Sequence, residues 1–189
     1  MSKSNNASAW TEAGYLLFAE QGIDGIHVEK LARIVQRNKS GFYHYFGDLE
    51  VYYAELLRLH EQKSAQFLAE ISQVKNIDPE YLQIVVKYKV STMFQVHLLR
   101  CKHLPAFYNV AEEIDEKESV IVGELWSDYL GFCDNPELAI RYFIIVRDMF
   151  YTRASQQNLT YEFVRDLAIE AREVMRQITE SNTTQETEQ

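Results

Sequence analysis

HVEKLARIVQRNKSGFYHYF, residues 27–46, decides the fold of this chain. Val28, Leu31, Ala32 and Val35 fall at i, i+3, i+4 and i+7, the spacing of one buried helix stripe. Gln36 to Asn38 are polar and suit a break in the chain. From Lys39 onward, a helical advance of about 100° per residue groups Phe42, Tyr45 and Phe46 on one side of a second helix. Ser40, Tyr43 and His44 then lie on the other side, with Lys39 at the flank, and Gly41 has no side chain to hold a partner away from the backbone. Four basic residues (Lys30, Arg33, Arg37, Lys39) and no acidic one occur between Lys30 and Phe46, in a chain of formal net charge −9. A cationic island on an acidic protein points to a polyanion. An apolar back and a hydrogen-bonding front suit a helix-turn-helix whose second helix bonds phosphates and base edges. The same spacing also fits an ordinary helical hairpin with a solvated face.

The flanks extend the pattern. LFAEQG closes a first helix, HVEKLA and KSGFYHYF follow, and acidic residues then open a long helix. With these motifs in order, residues 13–57, AGYLLFAEQGIDGIHVEKLARIVQRNKSGFYHYFGDLEVYYAELL, resemble the DNA-binding region of the TetR family of bacterial transcriptional regulators. The resemblance implies a homodimeric, all-helical regulator with a three-helix DNA-binding head and a variable ligand-binding body. It places Lys39, Ser40, Gly41, Tyr43 and His44 where the family contacts DNA, Tyr43 and His44 at positions that bond phosphates and the helix start at bases. His27 and Arg37 complete the candidate set, while Phe42 and Phe46 match buried positions. Four departures leave the set of contacts open. His27 stands where Thr or Ser usually caps the second helix, and it is a poorer cap by propensity. Gln36 stands where the turn usually has Gly, Arg37 where an apolar residue follows, and Leu49 where a Lys often anchors a phosphate.

Composition bounds the remainder. At 189 residues, 47% hydrophobic and 25% charged, the chain can bury a core. No apolar run reaches the roughly 18–20 residues of a membrane span, and no signal-like apolar region follows MSKSNNAS. Cys101 and Cys133 stand far apart without CxxC or His-rich spacing, against a disulfide scaffold or a zinc site. We therefore expect a cytoplasmic protein without metal or cofactor. There is no GxSxG, HExxH, P-loop or dinucleotide fingerprint, so an enzyme is not expected. No segment alternates like a strand; the periodicity predicts an all-α fold with helices near 8–21, 27–34, 39–45, 48–74, 79–100, 104–109, 111–131, 136–156 and 160–179. Asp78-Pro79 and Asn135-Pro136 each read as a cap followed by proline at the first helical position. The domain plan is a helix-turn-helix head over 1–47, an effector-binding and dimerisation body over 48–180, and a polar, disordered tail over 181–189.

The charge divides along the same line. Residues 1–50 hold five basic and six acidic side chains, and residues 51–189 hold fourteen and twenty-two, so DNA binding must concentrate in the basic island. The body's functional signal is its aromatic load on helices. Rings supply apolar wall and hydroxyls a few directional bonds, so Tyr88, Phe94, His97, Phe107, Trp126, Tyr129 and Phe150 are the candidate effector contacts, though each also fits a plain core position. Helix 160–179 carries an apolar stripe (Phe163/Val164, Leu167/Ala168, Ala171, Val174/Met175, Ile178), and helix 136–156 is nearly apolar from Leu138 to Phe150. Two such helices from each of two chains can form a four-helix bundle around a twofold axis. The expectation is a dimeric DNA-binding regulator, a repressor released by a small hydrophobic or aromatic effector, on a palindromic operator. The alternative is a diverged helical ligand-binding or protein-interaction protein that no longer binds DNA.

Overall fold

The structure, a computed structural model, describes the backbone of residues 3–131 and 136–187 and the side chains of 6–131 and 137–177. Its elements are α1 (Lys3–Gln21), α2 (Val28–Ile34), α3 (Lys39–Phe46), α4 (Leu49–Ile71), α5 (Leu82–Lys87), α6 (Lys89–Arg100), α7 (Pro105–Leu130), α8 (Pro136–Arg153) and α9 (Tyr161–Thr187). A 3₁₀ turn, Ile23–Gly25, follows α1, and a π turn, Ile77–Tyr81, precedes α5. No strand occurs among the described residues, so the fold is all-α. None of the described helices is long and apolar enough to cross a membrane.

The chain forms two compact units, Met1–Phe67 with Tyr88–Asp115 and Leu68–Lys87 with Glu116–Gln189; α4 and α7 each supply residues to both. In the first unit α1 packs on α6. The ring of Phe18 on α1 meets Phe94 at 4.3 Å and Phe107 at 5.9 Å, and Tyr15 stacks on Phe94 at 4.4 Å. Helix α1 ends where Gly22 adopts φ 68°, and the Gly22 N–H closes the last turn on the Phe18 carbonyl at 2.8 Å. That conformation costs glycine no Cβ clash, which explains the placement of the helix end.

In the second unit α9 lies against α5 and α8. Val164, Leu167, Ala168, Ala171 and Met175 are buried, as the stripe predicts, whereas Val174 is 44% exposed. The Tyr142 O–H donates to the Ala171 carbonyl at 3.0 Å, and Tyr161 and Arg165 both donate to the Asp78 carboxylate. Ser119 of α7 bonds Arg147 of α8, and Gly123 of α7 faces Ile140 of α8, so these two helices run antiparallel. A Cβ on Gly123 would lie 2.8 Å from Ile140 Cγ1, which is why the close approach needs glycine there.

Three element boundaries differ from expectation, each for a physical reason. The helix expected over 79–100 is divided at Tyr88 (φ −91°, ψ 22°). Its two apolar halves serve different cores, Leu82 and Val85 in the second unit and Met93 to Val96 in the first. The segments expected at 104–109 and 111–131 are one helix, because Phe107, Ala111 and Ile114 continue a single buried stripe at i, i+4, i+7 with no Gly or Pro between them. The cap before the π turn is Asn76, whose side chain accepts from the Glu80 N–H at 3.3 Å, while the Asp78 carboxylate is engaged by Tyr161 and Arg165. Asn135 and Cys133 lie outside the described residues, as do Glu188 and Gln189, whereas the backbone expected as a disordered tail from residue 181 continues α9 as helix as far as Thr187.

Candidate nucleic-acid interface

Residues 28–46 form a helix-turn-helix. Val28, Leu31 and Ala32 of α2 are buried. Helix α2 ends in two reversed hydrogen bonds, Arg37 N–H to the Ala32 carbonyl at 2.9 Å and Gln36 N–H to the Arg33 carbonyl at 3.2 Å. This is a Schellman arrangement, and it requires a left-handed residue between them. Gln36 fills that role at φ 55°, so the turn keeps its geometry without the glycine that would adopt it most readily. His27 precedes α2 in an extended conformation and makes no side-chain cap, in keeping with its poor capping propensity.

Helix α3 sorts its faces as its spacing predicts. Phe42 and Phe46 are 0% and 6% exposed. Phe42 meets Trp10 edge-on at 5.7 Å, and both phenylalanines contact Tyr52 of α4 at 4.9 Å. Lys39, Ser40, Tyr43 and His44 are exposed, Tyr43 by 54%. Gly41 is half-buried, and a Cβ there would point at the Trp10 ring at 3.6 Å, an ordinary contact. Gly47, at φ 75°, closes α3, and Asp48 opens α4 by accepting the Val51 N–H at 2.9 Å. Behind the motif, the Tyr52 O–H donates to the Trp10 carbonyl at 2.7 Å, across the space left by Gly14.

The front is cationic but partly neutralised. Lys39 Nζ lies 2.9 Å from Glu29 Oε1, with both side chains more than half exposed. That hydrogen bond is the main cause that lowers the Glu29 carboxyl below its usual range and raises the Lys39 ammonium. Arg37 donates to the Asn6 side chain at 3.4 Å, and Lys30 to Gln21. An open cleft of about 680 Å³ runs along the turn, lined by Glu29, Ala32, Arg33, Gln36, Arg37, Asn38 and Lys39. His27, Arg37, Lys39, Ser40, Tyr43 and His44 are thus exposed on this one motif, and Gly41 belongs to it but faces inward.

A group that the sequence reading passed over lies in the first unit. His60 of α4 is fully buried. Its Nδ1 lies 2.9 Å from the Tyr15 hydroxyl and its Nε2 2.8 Å from Gln95 Oε1. The Gln95 amide nitrogen donates to the Ala111 carbonyl and to Asp115 Oδ1, at 2.8 and 2.7 Å, which fixes Oε1 as the acceptor from His60. His60 therefore carries its proton on Nε2, and its Nδ1 lies beside the Tyr15 hydroxyl, whose single proton is directed to Ser91 Oγ at 3.0 Å. Burial lowers its pKa to about 4, so the ring is neutral at pH 7. A usable signal existed: Tyr52, Leu56, His60, Ser64, Phe67 and Ile71 fall on one stripe of α4, so the imidazole had to be buried and had to find partners.

The candidate effector residues divide between the units. Phe94, His97 and Phe107 surround Phe18 in the first unit, and Phe94, 1% exposed, is held between Tyr15 and Phe18. Tyr88 marks the break before α6, with its ring 5.5 Å from Phe67. Burial is the main cause that lowers the His97 pKa, and its Nδ1 approaches Gly22, where a Cβ would lie 2.8 Å away. Trp126, Tyr129 and Phe150 belong to the second unit. Trp126 stacks on Tyr129 at 5.5 Å and meets Phe143 edge-on at 5.6 Å, while Phe150 contacts Phe163 at 6.1 Å. Among the described residues no cluster of three His, Cys, Asp or Glu side chains could hold a metal ion.

No family model matches the chain, and no curated protein matches its sequence. Solved structures do match. A TetR-family transcriptional regulator from Mesorhizobium loti MAFF303099 superposes with a TM-score of 0.59 at 14% identity, over 94% of this chain and 98% of that one. A transcriptional regulator of the TerR/AcrR family from Aquifex aeolicus VF5 superposes with a TM-score of 0.60 at 18% identity, over 92% of this chain and 99% of that one. Both similarities span nearly the whole of each chain, so the likeness is one of fold and not of a single segment.

Proposed function

We propose that this chain, which has the all-helical fold of TetR-family transcriptional regulators, is itself a DNA-binding transcriptional regulator. One observation carries the reading: α3 buries Phe42 and Phe46 against Trp10 and Tyr52 and turns Lys39, Ser40, Tyr43 and His44 to solvent. An exposed ammonium, two hydroxyls and an imidazole on a rigidly backed helix supply donors for phosphates and base edges. In this reading Lys39, Tyr43, His44 and Arg37 engage the backbone, Ser40 and the start of α3 face bases, and His27 and Gly41 border the contact.

The regulator acts as a homodimer on a palindromic operator, because one head makes too few contacts for specific affinity. Leu138 and Ile145, one heptad apart on α8, are 43% and 56% exposed, and Val174 of α9 adds to the uncovered apolar surface. These residues support a dimer through α8 and α9. The protein is a cytoplasmic repressor released by a small aromatic effector held in the body. Release requires that the effector bind the DNA-incompetent conformation better, since equal affinity for both would shift nothing. Trp126, Tyr129 and Phe150 of the second unit are the favoured effector contacts, while Tyr88, Phe94, His97 and Phe107 serve as packing within the first unit.

The test is selection of bound duplexes from a random-sequence library by the full chain. We expect enrichment of an inverted repeat whose half-sites lie about one helical turn or a multiple apart. Absence of enrichment at low salt would favour the second reading, a helical ligand-binding or interaction protein without DNA. The Glu29–Lys39 ion pair, which cancels a cation of the island, is the observation on that side.

A further inference from the structure

The inner face of α7 in the second unit is unusually polar for a helix interior. Glu118, Ser119 and Ser127 are all below 8% exposed. Glu118 accepts from the Tyr81 hydroxyl at 2.7 Å, and Ser119 is bonded by Arg147 at 3.1 Å. Further along the same stripe come Trp126 and Tyr129, and there the satisfaction of polar groups stops. Trp126 is 2% exposed, yet its indole N–H has no hydrogen-bond partner, and neither has the buried hydroxyl of Tyr129. The two rings stack at 5.5 Å, so the two orphaned groups are carried by one stacked aromatic pair.

Buried donors without partners cost about 1–3 kcal/mol each, and proteins rarely keep two on one stacked pair. An indole N–H can only donate, so whatever satisfies Trp126 must present an acceptor. The Arg172 guanidinium lies 4.8 Å from the centre of the Tyr129 ring and gives this end of the pair positive character. Phe143, edge-on to Trp126 at 5.6 Å, adds apolar wall. We propose that the second unit binds a small aromatic carboxylate, whose oxygens accept from Trp126 Nε1–H and Tyr129 O–H and whose ring packs against Trp126 and Phe143. This names the effector class for the regulator proposed above and rests on that reading only for its regulatory consequence.

The chain has two tryptophans, Trp10 and Trp126, so a ¹H–¹⁵N correlation spectrum of the full protein shows two indole signals, assigned by Trp126→Phe. Titration with 2-naphthoate should move the Trp126 indole signal downfield to saturation and leave that of Trp10 in place. The hydrocarbon 2-methylnaphthalene should bind at least about tenfold more weakly, and Tyr129→Phe should weaken naphthoate about tenfold, the worth of one hydrogen bond. A Trp126 signal that stays put at millimolar naphthoate overturns the proposal, as does equal binding of the hydrocarbon. If Tyr129→Phe fails to fold, the comparison of the two probes on the natural chain decides. DNA binding is measured on the same sample: a naphthoate-responsive protein that binds no DNA refutes the regulator and leaves the site, and the reverse result does the opposite.

Discussion

Gly14→Ala sets two effects against each other, and magnitudes decide the sign. Gly14 lies inside α1, where replacing glycine by alanine ordinarily stabilises a helix by about 1 kcal/mol. Here the added Cβ would lie 1.7 Å from the Tyr52 hydroxyl oxygen and 2.7 Å from its Cζ. Non-bonded heavy atoms settle near about 3.5–4 Å, so the phenol must move by about 2 Å. Tyr52 has nowhere to go: it is fully buried, bonded to the Trp10 carbonyl at 2.7 Å, and packed on Phe42 and Phe46 at 4.9 Å. Overpacking costs about 1–3 kcal/mol, and the broken hydrogen bond and loosened ring packing add about 1 kcal/mol each. The clash wins, with a net destabilisation of about 3 kcal/mol, or a melting temperature lower by about 10 °C for a chain of this length. Circular dichroism at fixed protein concentration reads this out. Tyr52→Phe removes the nearest atom, so Gly14→Ala should cost at least about 1 kcal/mol less in that background. A Gly14→Ala protein that melts at or above the natural temperature, or an equal cost in both backgrounds, refutes the reasoning.

Three further outcomes are expected. Gln36→Gly removes about 1–2 kcal/mol of left-handed strain and returns about 0.4–1 kcal/mol through the freer unfolded chain, so urea unfolding should show a net gain of somewhat under 1 kcal/mol. His60 binds a proton near 6.5 when unfolded and only near about 4 when folded. The stability it contributes is complete above pH 6.5 and is lost as pH falls toward 4, by up to about 3 kcal/mol at about 1.4 kcal/mol per unit. Urea midpoints measured across that window should fall steeply, and His60→Asn should flatten the slope. Glu29→Gln frees Lys39 for phosphate. It should tighten DNA binding severalfold and steepen its salt dependence, whereas unchanged titrations would mean that the pair breaks without cost on the operator.

Much of the head was legible in the sequence because its signals are local. The 3.6-residue period separated the two faces of α3, and Gly22 after LFAEQ marked the end of α1, where the chain adopts a positive φ. The period also overreached. It could not see that Leu82 and Val85 serve one core and Met93 to Val96 another, so the break at Tyr88 was invisible. Long-range partners were equally hidden: Glu29 reaches Lys39 only because the Schellman turn folds α3 back onto α2, and Gly14 is decided by Tyr52, thirty-eight positions away. The aromatic residues of the body mixed two roles, since composition cannot tell a ring packed on all sides, like Phe94, from one whose polar atom lacks a partner, like Trp126.

The central claim is that the front of α3 holds DNA, and the most direct measurement is fluorescence anisotropy on duplex from upstream of the coding region at salt concentrations from about 50 to about 200 mM. The natural chain should bind with a steep inverse dependence on salt. Lys39→Ala with Tyr43→Ala should lower affinity at least about tenfold and reduce the logarithmic salt slope by about 1 for each phosphate that a head no longer neutralises. Binding that is absent at the lowest salt, or identical in slope and strength for the double variant, would contradict the account.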